Sequence, residues 1–211
     1  MAAPDLKLDP PHGEKEILLH ACCAPCSSAI LETLLNNKLH PTLFFCNPNI
    51  YPQEEYLKRK GELISYATQL SLPLYDADDD HSLWLKATEE FRDEPEQGRR
   101  CALCFSIRLN ATAQFAEENG FRVFTTTLGS SRWKKFEQIV EAGEVAATLY
   151  PHLTFWGQNW RKQGIADRRD ELLKELNFYQ QDYCGCETSL ARAEIRRAKA
   201  AAKLSQEKSP N

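Results

Sequence analysis

The segment EILLHACCAPCSSAILETLLNN, residues 16–37, decides the fold. Its first six residues, Glu16–Ala21, form the kind of short apolar run that predicts a buried strand, and Ser27–Asn37 has the spacing of an amphipathic helix. A strand followed by a helix is the repeating unit of parallel sheets. Three cysteines lie between the two elements, beyond the carboxyl end of the strand, where such sheets bind their ligands.

The same alternation continues along the chain. Further apolar runs occupy Thr42–Cys46, Leu72–Tyr75, Arg122–Leu128 and Leu153–Trp156. Helical stretches occupy Pro52–Leu70, Cys104–Asn119, Phe136–Ala147, Asp167–Leu176 and residues 188–208. The pattern predicts an α/β fold, a parallel sheet with helices on both faces and a C-terminal helix. We expect a disordered leader over 1–15, a single catalytic domain over 16–190, and a C-terminal helix and tail over 191–211.

The stretch Pro52–Leu70 carries additional helix signals. Pro52 stands at a position that suits the first residue of a helix, and Glu55 is four residues before Arg59. The residues expected to face the core are Leu57, Ile64, Ala67 and Leu70.

Composition restricts the class of protein. The chain has 211 residues with 26 basic and 30 acidic side chains, so bulk charge does not point to nucleic acid, although a local basic face would be enough to bind it. No apolar run reaches the ~20 residues of a membrane span, and the first residues lack the pattern of a signal peptide. These features predict a cytoplasmic protein without a membrane partner. In that reducing compartment thiols are metal ligands or catalytic groups more often than disulfides.

Seven of the eight cysteines fall into three tight clusters. The clusters are Cys22-Cys23-x-x-Cys26, Cys101-x-x-Cys104 and Cys184-Gly185-Cys186. Close thiols suit soft metals, iron–sulfur clusters and dithiol redox chemistry. We expect Cys26 to pack on the first turn of the following helix and Cys46 to be a small core residue.

Two metal sites are compatible with the first two clusters. Cys101 and Cys104 lie at a helix start beside Arg99 and Arg100, and both features favour thiolate. With Cys22 and Cys23 they supply four thiolates, and adjacent cysteines bind two corners of a [4Fe–4S] cluster more easily than one small ion. A structural zinc on Cys23, Cys26, Cys101 and Cys104 also fits, and spacing alone does not decide between the two.

The third cluster has a different chemistry. Oxidation of Cys184 and Cys186 closes a small ring, and such a disulfide is strained and easily reduced. Gly185 permits the backbone geometry that the ring needs. The pair could instead hold a second metal ion, or be two surface thiols in a turn.

Other polar segments follow the predicted strands. Asp76, Asp78, Asp79 and Asp80 follow the third run, where one of them could bind a metal or transfer a proton, although acidic loops are usually only solvated. Two loops, Arg132-Trp133-Lys134-Lys135 and Trp160-Arg161-Lys162, combine positive charge with aromatic surface, which suits phosphate contact and base stacking. His20 is expected to be a satisfied core histidine. No P-loop or dinucleotide fingerprint follows the first run.

Several segments together resemble the cobalamin-independent epoxyqueuosine reductases, the QueH family. They are LLHACCAPCS at 18–27, NPNIYPQEEYLKRK at 47–60, EPEQGRRCALCFSIRLNATA at 94–113, FTTTLGSSRWK at 124–134, NWRKQG at 159–164 and YQQDYCGCETS at 179–189. The resemblance implies a Rossmann-like three-layer sandwich related to the adenine-nucleotide α-hydrolases. It also implies an iron–sulfur enzyme that converts epoxyqueuosine to queuosine in the wobble position of tRNA, the last step of queuosine biosynthesis.

The resemblance also implies roles for individual residues. Cys22, Cys23, Cys101 and Cys104 would hold a [4Fe–4S] cluster, and Cys184 and Cys186 would be the redox-active pair, with a possible additional mononuclear iron. The acidic residue expected after the third strand is Asp80. Cys46 stands where an aromatic residue is expected before NPN, so it gains no role from the family.

Removing the epoxide oxygen takes two electrons and two protons and releases water. An iron–sulfur cluster passes one electron at a time, so we expect the Cys184/Cys186 dithiol, or a metal held there with Asp80, to complete the reaction. Asn47, Asn49, Arg132, Lys134 and Arg161 are predicted to position the substrate, and the electron donor is unknown. The competing hypotheses are an RNA-binding module with a structural zinc and a thiol–disulfide oxidoreductase.

Overall fold

The computed structural model of the chain describes residues 6–77 and 80–207. Its strands are β1 (Glu16–His20), β2 (His40–Phe45), β3 (Leu74–Asp76), β4 (Val123–Thr126) and β5 (Thr154–Phe155). Its helices are α1 (Ala24–Asn36), α2 (Gln53–Gln69), α3 (His81–Thr88), α4 (Arg99–Glu118), α5 (Phe136–Ala147), α6 (Ile165–Glu175) and α7 (Glu187–Glu207). Short 3₁₀ turns occupy Pro11–Gly13, Glu89–Phe91 and Thr127–Ser130.

The five strands form one parallel sheet in the order β3-β2-β1-β4-β5. The predicted α/β fold with a parallel sheet, helices on both faces and a C-terminal helix is confirmed. The chain order reverses at β1, because β2 and β3 lie on one side of it and β4 and β5 on the other. Ligands of open α/β sheets bind at this kind of switch point, beyond the carboxyl ends of the strands.

Alternate residues of β1 face the two halves of the core. Ile17 and Leu19 pack in one hydrophobic cluster with α1, α2 and α6, whereas Leu18 packs in a second cluster with α4 and α5. All three side chains are fully buried. A strand that is apolar on both faces needs helices on both sides, which is why the run that starts at Glu16 specifies three layers.

The exposed face of α2 differs from the prediction. Leu57 and Ile64 are 54% and 42% exposed, so the prediction was wrong for these two, whereas Ala67 is buried and Leu70 packs against the first core cluster as predicted. The other buried residues of the helix are Glu55, Tyr56, Arg59, Leu63 and Tyr66. Glu55 and Arg59 are buried since they form an ion pair and bind the C-terminal part of the chain.

Residues 6–15 have defined contacts that the sequence did not indicate. Leu8 is buried in the first core cluster, its N–H donates to Asn37 at 2.8 Å, and Asn37 donates back to the carbonyl of Leu6. The division into a leader, one domain over 16–190 and a tail stays a prediction. No helix within the described ranges combines the length and the apolar character needed to cross a membrane.

Two helical glycines offer a matched test of the packing between α5 and the sheet. A Cβ on Gly143 would lie 2.5 Å from the ring of Phe155, whereas a Cβ on Gly61 would meet nothing within 4 Å. We expect Gly143→Ala to lower the free energy of unfolding by up to about 2 kcal/mol, because overpacking outweighs the gain in helix propensity. Gly61→Ala should raise it by about 0.5–1 kcal/mol. Urea unfolding of both variants measures the difference, and equal stabilisation by the two changes would contradict this packing.

Candidate metal centre

The first cysteine segment lies at the switch point of the sheet. Cys22 and Cys23 follow β1, and Cys26 lies in the first turn of α1. The three Sγ atoms lie within 4.8 Å of one another, and those of Cys22 and Cys23 are 3.7 Å apart. The prediction that Cys26 only packs on its helix was therefore incomplete, because its thiol points into the same group.

The pKa values of the three thiols are shifted in different directions. Hydrogen bonds from Cys23 and Cys26 lower the pKa of Cys22 well below its usual value, and the positive charge of Lys134 acts in the same direction. Burial raises the pKa of Cys23, and the hydrogen bond with Cys22 raises the pKa of Cys26 to about 11. The group thus favours one thiolate, at Cys22, and two thiols that donate to it.

The second segment begins α4. Cys101 and Cys104 lie in its first two turns, and the backbone N–H of Gln97 donates to the Cys101 sulfur at 3.3 Å. Burial nevertheless raises the pKa of Cys101, and it raises the pKa of Cys104 to about 12. The charge of Arg100 does lower the pKa of Cys101, in the predicted direction, but burial has the larger effect. Arg99 pairs with Glu94, and Arg100 donates to the carbonyls of residues 92 and 94.

The third segment is a tight loop before α7. Cys184 is exposed and Cys186 is buried, and Gly185 between them has φ +137°, which L side chains rarely adopt. A Cβ on Gly185 would lie 3.0 Å from the amide nitrogen of Asn49, so the loop needs glycine for space as well. None of the eight cysteines, all within the described residues, forms a disulfide.

A buried ion pair on α2 holds this loop. Arg59 is 2% exposed and pairs with Glu55 at 2.6 Å. It donates to the carbonyl of Cys184 at 3.0 Å and to that of Tyr183 at 3.3 Å. The hydroxyl of Tyr179 donates to the other carboxylate oxygen of Glu55 at 2.9 Å. The third segment does not follow a strand, and the guanidinium of Arg59 holds it in place by binding these two carbonyls.

Cysteines of the three segments influence the pKa values of two cationic side chains. Although burial opposes its charge, the thiols of Cys184, Cys22 and Cys26 raise the pKa of Lys134. Burial likewise opposes charge on Arg108, and Cys104, Cys22 and Cys184 raise its pKa.

Two direct contacts also join the segments. Cys186 packs with Cys104 and Trp84 in a small buried cluster, and Gln181 donates to the Cys23 sulfur at 2.8 Å. The second and third cysteine segments therefore pack together at Cys104 and Cys186, and the residues just before the third segment reach Cys23.

Asn47 and His20 form buried hydrogen bonds next to the first cysteine segment. Asn47 is fully buried, donates to the carbonyl of Ala21 at 2.9 Å and accepts from Arg108. His20 bridges the hydroxyl of Thr126 and the carbonyl of Cys46 at 2.8 and 3.0 Å, and burial lowers its pKa to about 3. His20 is the satisfied core histidine that was predicted. A contact between Asn47 and substrate stays a prediction, and the geometry favours a role in holding Arg108.

Asn49 is different from Asn47. It is 2% exposed, and its carbonyl oxygen has no hydrogen-bond partner among the described residues. The carbonyl oxygen of Gln181 is in the same state within that part of the chain. A buried amide oxygen without a partner is costly, so both mark places where a bound group would donate a hydrogen bond.

The two described acidic residues after β3, Asp76 and Asp80, both have structural contacts. Asp80 is exposed and caps α3, where it accepts from the N–H of Ser82 at 2.8 Å. Hydrogen bonds from Ser82 lower the pKa of Asp80, which opposes a role as proton donor and leaves metal binding as the role to test. Asp76 pairs with Lys60, and Asp78 and Asp79 lie outside the described residues.

His81 is a site residue that the sequence reasoning missed. Its ring is stacked between Tyr51 and Trp84, and its nitrogens contact the carbonyl of Pro48 at 2.6 Å and Glu187 at 3.1 Å. It therefore ties the NPN loop to the start of α7, next to Cys186. His81 directly follows the acidic run, and the sequence reasoning considered only the carboxylates of that run as candidate ligands.

The two basic loops remain available to a large partner. Trp133 is 70% exposed, and the guanidinium of Arg132 lies over its ring at 4.9 Å. Arg161 lies over Phe136 at 5.6 Å, whereas Trp160 is buried and belongs to the core. Of these aromatic residues, only Trp133 presents the exposed surface that base stacking needs.

The family comparison agrees with this arrangement. The family model described as epoxyqueuosine reductase QueH matches residues 17–192, which contain all three cysteine segments. The chain belongs to the QueH family of epoxyqueuosine reductases. Curated QueH members include proteins named epoxyqueuosine reductase QueH from Acinetobacter baylyi and Thermotoga maritima. They are 47% identical over 190 residues (90% of this chain, 87% of the relative) and 35% identical over 178 residues (82% and 90%).

A third QueH relative, from Histophilus somni, is 47% identical over 184 residues, covering 87% of this chain and 76% of its own length. QueH proteins are oxidoreductases by name, so the chain is an enzyme of that class. This excludes a purely structural RNA-binding module as its main function.

Arg59 gives a prediction about the scaffold of the QueH site. Arg59→Ala should lower the free energy of unfolding by about 3–5 kcal/mol, because it leaves the Glu55 carboxylate buried without its partner. Arg92→Ala is the matched control, since its pair with Glu89 is exposed at both ends and should be worth at most about 1 kcal/mol. Chemical denaturation measures both. Equal, small losses would show that the Arg59 pair does not hold the loop.

Proposed function

We propose that the chain reduces epoxyqueuosine to queuosine in the wobble position of tRNA, in the cytoplasm. The observation that carries the proposal is the grouping of the Cys22, Cys23 and Cys26 thiols, with Cys104 packed against Cys186, in a member of a family named for this reaction. Several soft, redox-capable ligands close together suit electron transfer better than structural support.

A [4Fe–4S] cluster fits the residues present, and Cys22, Cys23, Cys101 and Cys104 would hold it. The fit rests on the donor set: thiolates are the ligands of such clusters, and Arg108 and Lys134 would offset the negative charge. When bound, the cluster would supply electrons one at a time. Cys184, Cys186 and Asp80 would hold a second, mononuclear iron if the protein binds one.

The Cys184/Cys186 dithiol can supply both electrons and both protons that the reduction of one epoxide requires. The epoxide loses its oxygen, the two carbons form an alkene, and the oxygen leaves as water. The two protons and two electrons that this requires equal those released when two thiols become one disulfide. Cys184 is the exposed member and would face the substrate, while Ser189 contacts the Cys186 sulfur at 3.6 Å. An external electron donor then restores the dithiol.

The tRNA would bind over the edge that carries these loops. Arg132 and Arg161 are placed to contact phosphates, and the exposed ring of Trp133 suits stacking on a base. Lys134 is half-buried beside Cys184 and would attract the anionic strand toward the thiols. Asn49 would use its unpartnered carbonyl oxygen for a donor of the nucleoside.

The proposed division of labour gives the first test of the function. Cys184→Ser should abolish formation of queuosine from tRNA that carries epoxyqueuosine while leaving the visible absorption of the cluster nearly unchanged. Nucleoside analysis by mass spectrometry follows the product, with dithionite-reduced enzyme as the source of electrons. Cys46→Ala is the control, since Cys46 is buried in the second core cluster, outside the three segments, and should keep activity. Loss of absorption together with activity in Cys184→Ser would place Cys184 among the cluster ligands instead.

The ligand set is tested by a matched pair of cysteines. The proposed cluster uses Cys22 and not Cys26, whereas a zinc ion on the two C-x-x-C pairs would use Cys26 and not Cys22. The closeness of the Cys22, Cys23 and Cys26 sulfur atoms allows either Cys22 or Cys26 to bind a metal together with Cys23. We expect Cys22→Ser to lose bound iron and Cys26→Ser to retain about four iron per chain.

Metal analysis of protein purified without oxygen measures both variants. Retention of metal by Cys22→Ser with its loss from Cys26→Ser would contradict the cluster and support the zinc site.

A further inference from the structure

Gln181 joins the segment that carries the redox pair to a predicted cluster ligand. Its Nε2 donates to the Cys23 sulfur at 2.8 Å, although the two residues are 158 positions apart. Gln181 precedes Cys184 by three residues and is half-buried, while its neighbour Gln180 is exposed. The contact is therefore specific to one of two adjacent glutamines.

The backbone on both sides of Gln181 is anchored. The N–H of Tyr179 donates to Glu62 at 2.7 Å, and Asp182 pairs with Arg197. Arg59 holds the carbonyls of Tyr183 and Cys184. These contacts fix the backbone around Gln181 and thereby restrict where its side-chain amide can lie.

An anionic sulfur only accepts hydrogen bonds, so the NH₂ end of Gln181 must face Cys23 once that residue binds a metal. Two other ligands of the proposed cluster receive donors in the same way. The Thr127 hydroxyl lies 3.4 Å from the Cys22 sulfur, and the Gln97 N–H lies 3.3 Å from the Cys101 sulfur. Gln181 differs from both, because it alone of these three comes from the segment of the redox pair.

We propose that Gln181 is a positioning residue that sets the reduction potential of the cluster and couples it to the Cys184/Cys186 loop. The inference rests on the proposed iron–sulfur function. Reduction adds negative charge to the cluster and its sulfur ligands, so a donor stabilises the reduced form more than the oxidised form. Because the donor belongs to the loop, displacement of the loop removes it. By reciprocity, assembly of the cluster must then stabilise the loop.

The test compares Gln181→Met with Gln180→Met in full-length protein reconstituted with iron and sulfide. Methionine keeps the length of the side chain and removes the donor. We expect the midpoint potential of Gln181→Met to shift to a more negative value than that of the wild type, and that of Gln180→Met to stay unchanged. A dye-mediated titration followed by electron paramagnetic resonance measures it. Equal potentials in all three proteins would overturn the inference and leave the proposed function standing.

A second measurement tests the coupling. Cluster assembly should slow amide hydrogen exchange over residues 179–186 in the wild type, and should slow it less in Gln181→Met. The same protection in both would overturn the coupling. If Gln181→Met fails to assemble a cluster, Gln181→Glu replaces it, since the carboxylate has no donor and should shift the potential in the same direction. Failure of both variants in folded protein would make Gln181 a requirement for assembly and overturn the tuning role, whereas failure of the wild type would overturn the inference and the proposed function together.

Discussion

The parallel direction of all five strands is the constraint on which the centre depends. It brings the loops after β1, β2, β3, β4 and β5 to one edge, and the reversal of strand order at β1 opens that edge beside Cys22 and Cys23. The sheet alone does not place the third cysteine segment, which follows no strand. The buried pair of Arg59 and Glu55 does so by binding the carbonyls before and at Cys184.

The positive charges of Arg108 and Lys134 offset negative charge on the neighbouring cysteines. Burial raises the pKa of Cys23 and Cys104, whereas hydrogen bonds from Cys23 and Cys26 lower the pKa of Cys22. Arg108 lies in α4 and Lys134 in the loop before α5, and the charge of Cys22 raises the pKa of both. Metal binding requires deprotonated thiols, and these two cations lower the cost of making them. Arg108 is itself fixed by Asn47 and by the carbonyl of Cys46.

The sequence was sufficient to predict the sheet, its flanking helices and the place of Cys22 and Cys23 after the first strand, because apolar periodicity and the fold rule for parallel sheets depend only on residue order. It failed where long-range contacts decide the outcome. The buried face of α2 was misjudged because Arg59 and Glu55 bind residues more than 100 positions away. Gln181 and His81 were missed for the same reason, and Asp80 was read as chemical although its first role is to cap α3.

The central claim is that the converging thiols hold an iron–sulfur cluster. Iron and sulfide analysis, combined with a visible absorption spectrum, of protein purified without oxygen tests it most directly. The account predicts a brown protein with about four iron and four sulfide per chain, whose colour bleaches on reduction. Stoichiometric zinc and a colourless protein, persisting after reconstitution with iron and sulfide, would contradict it.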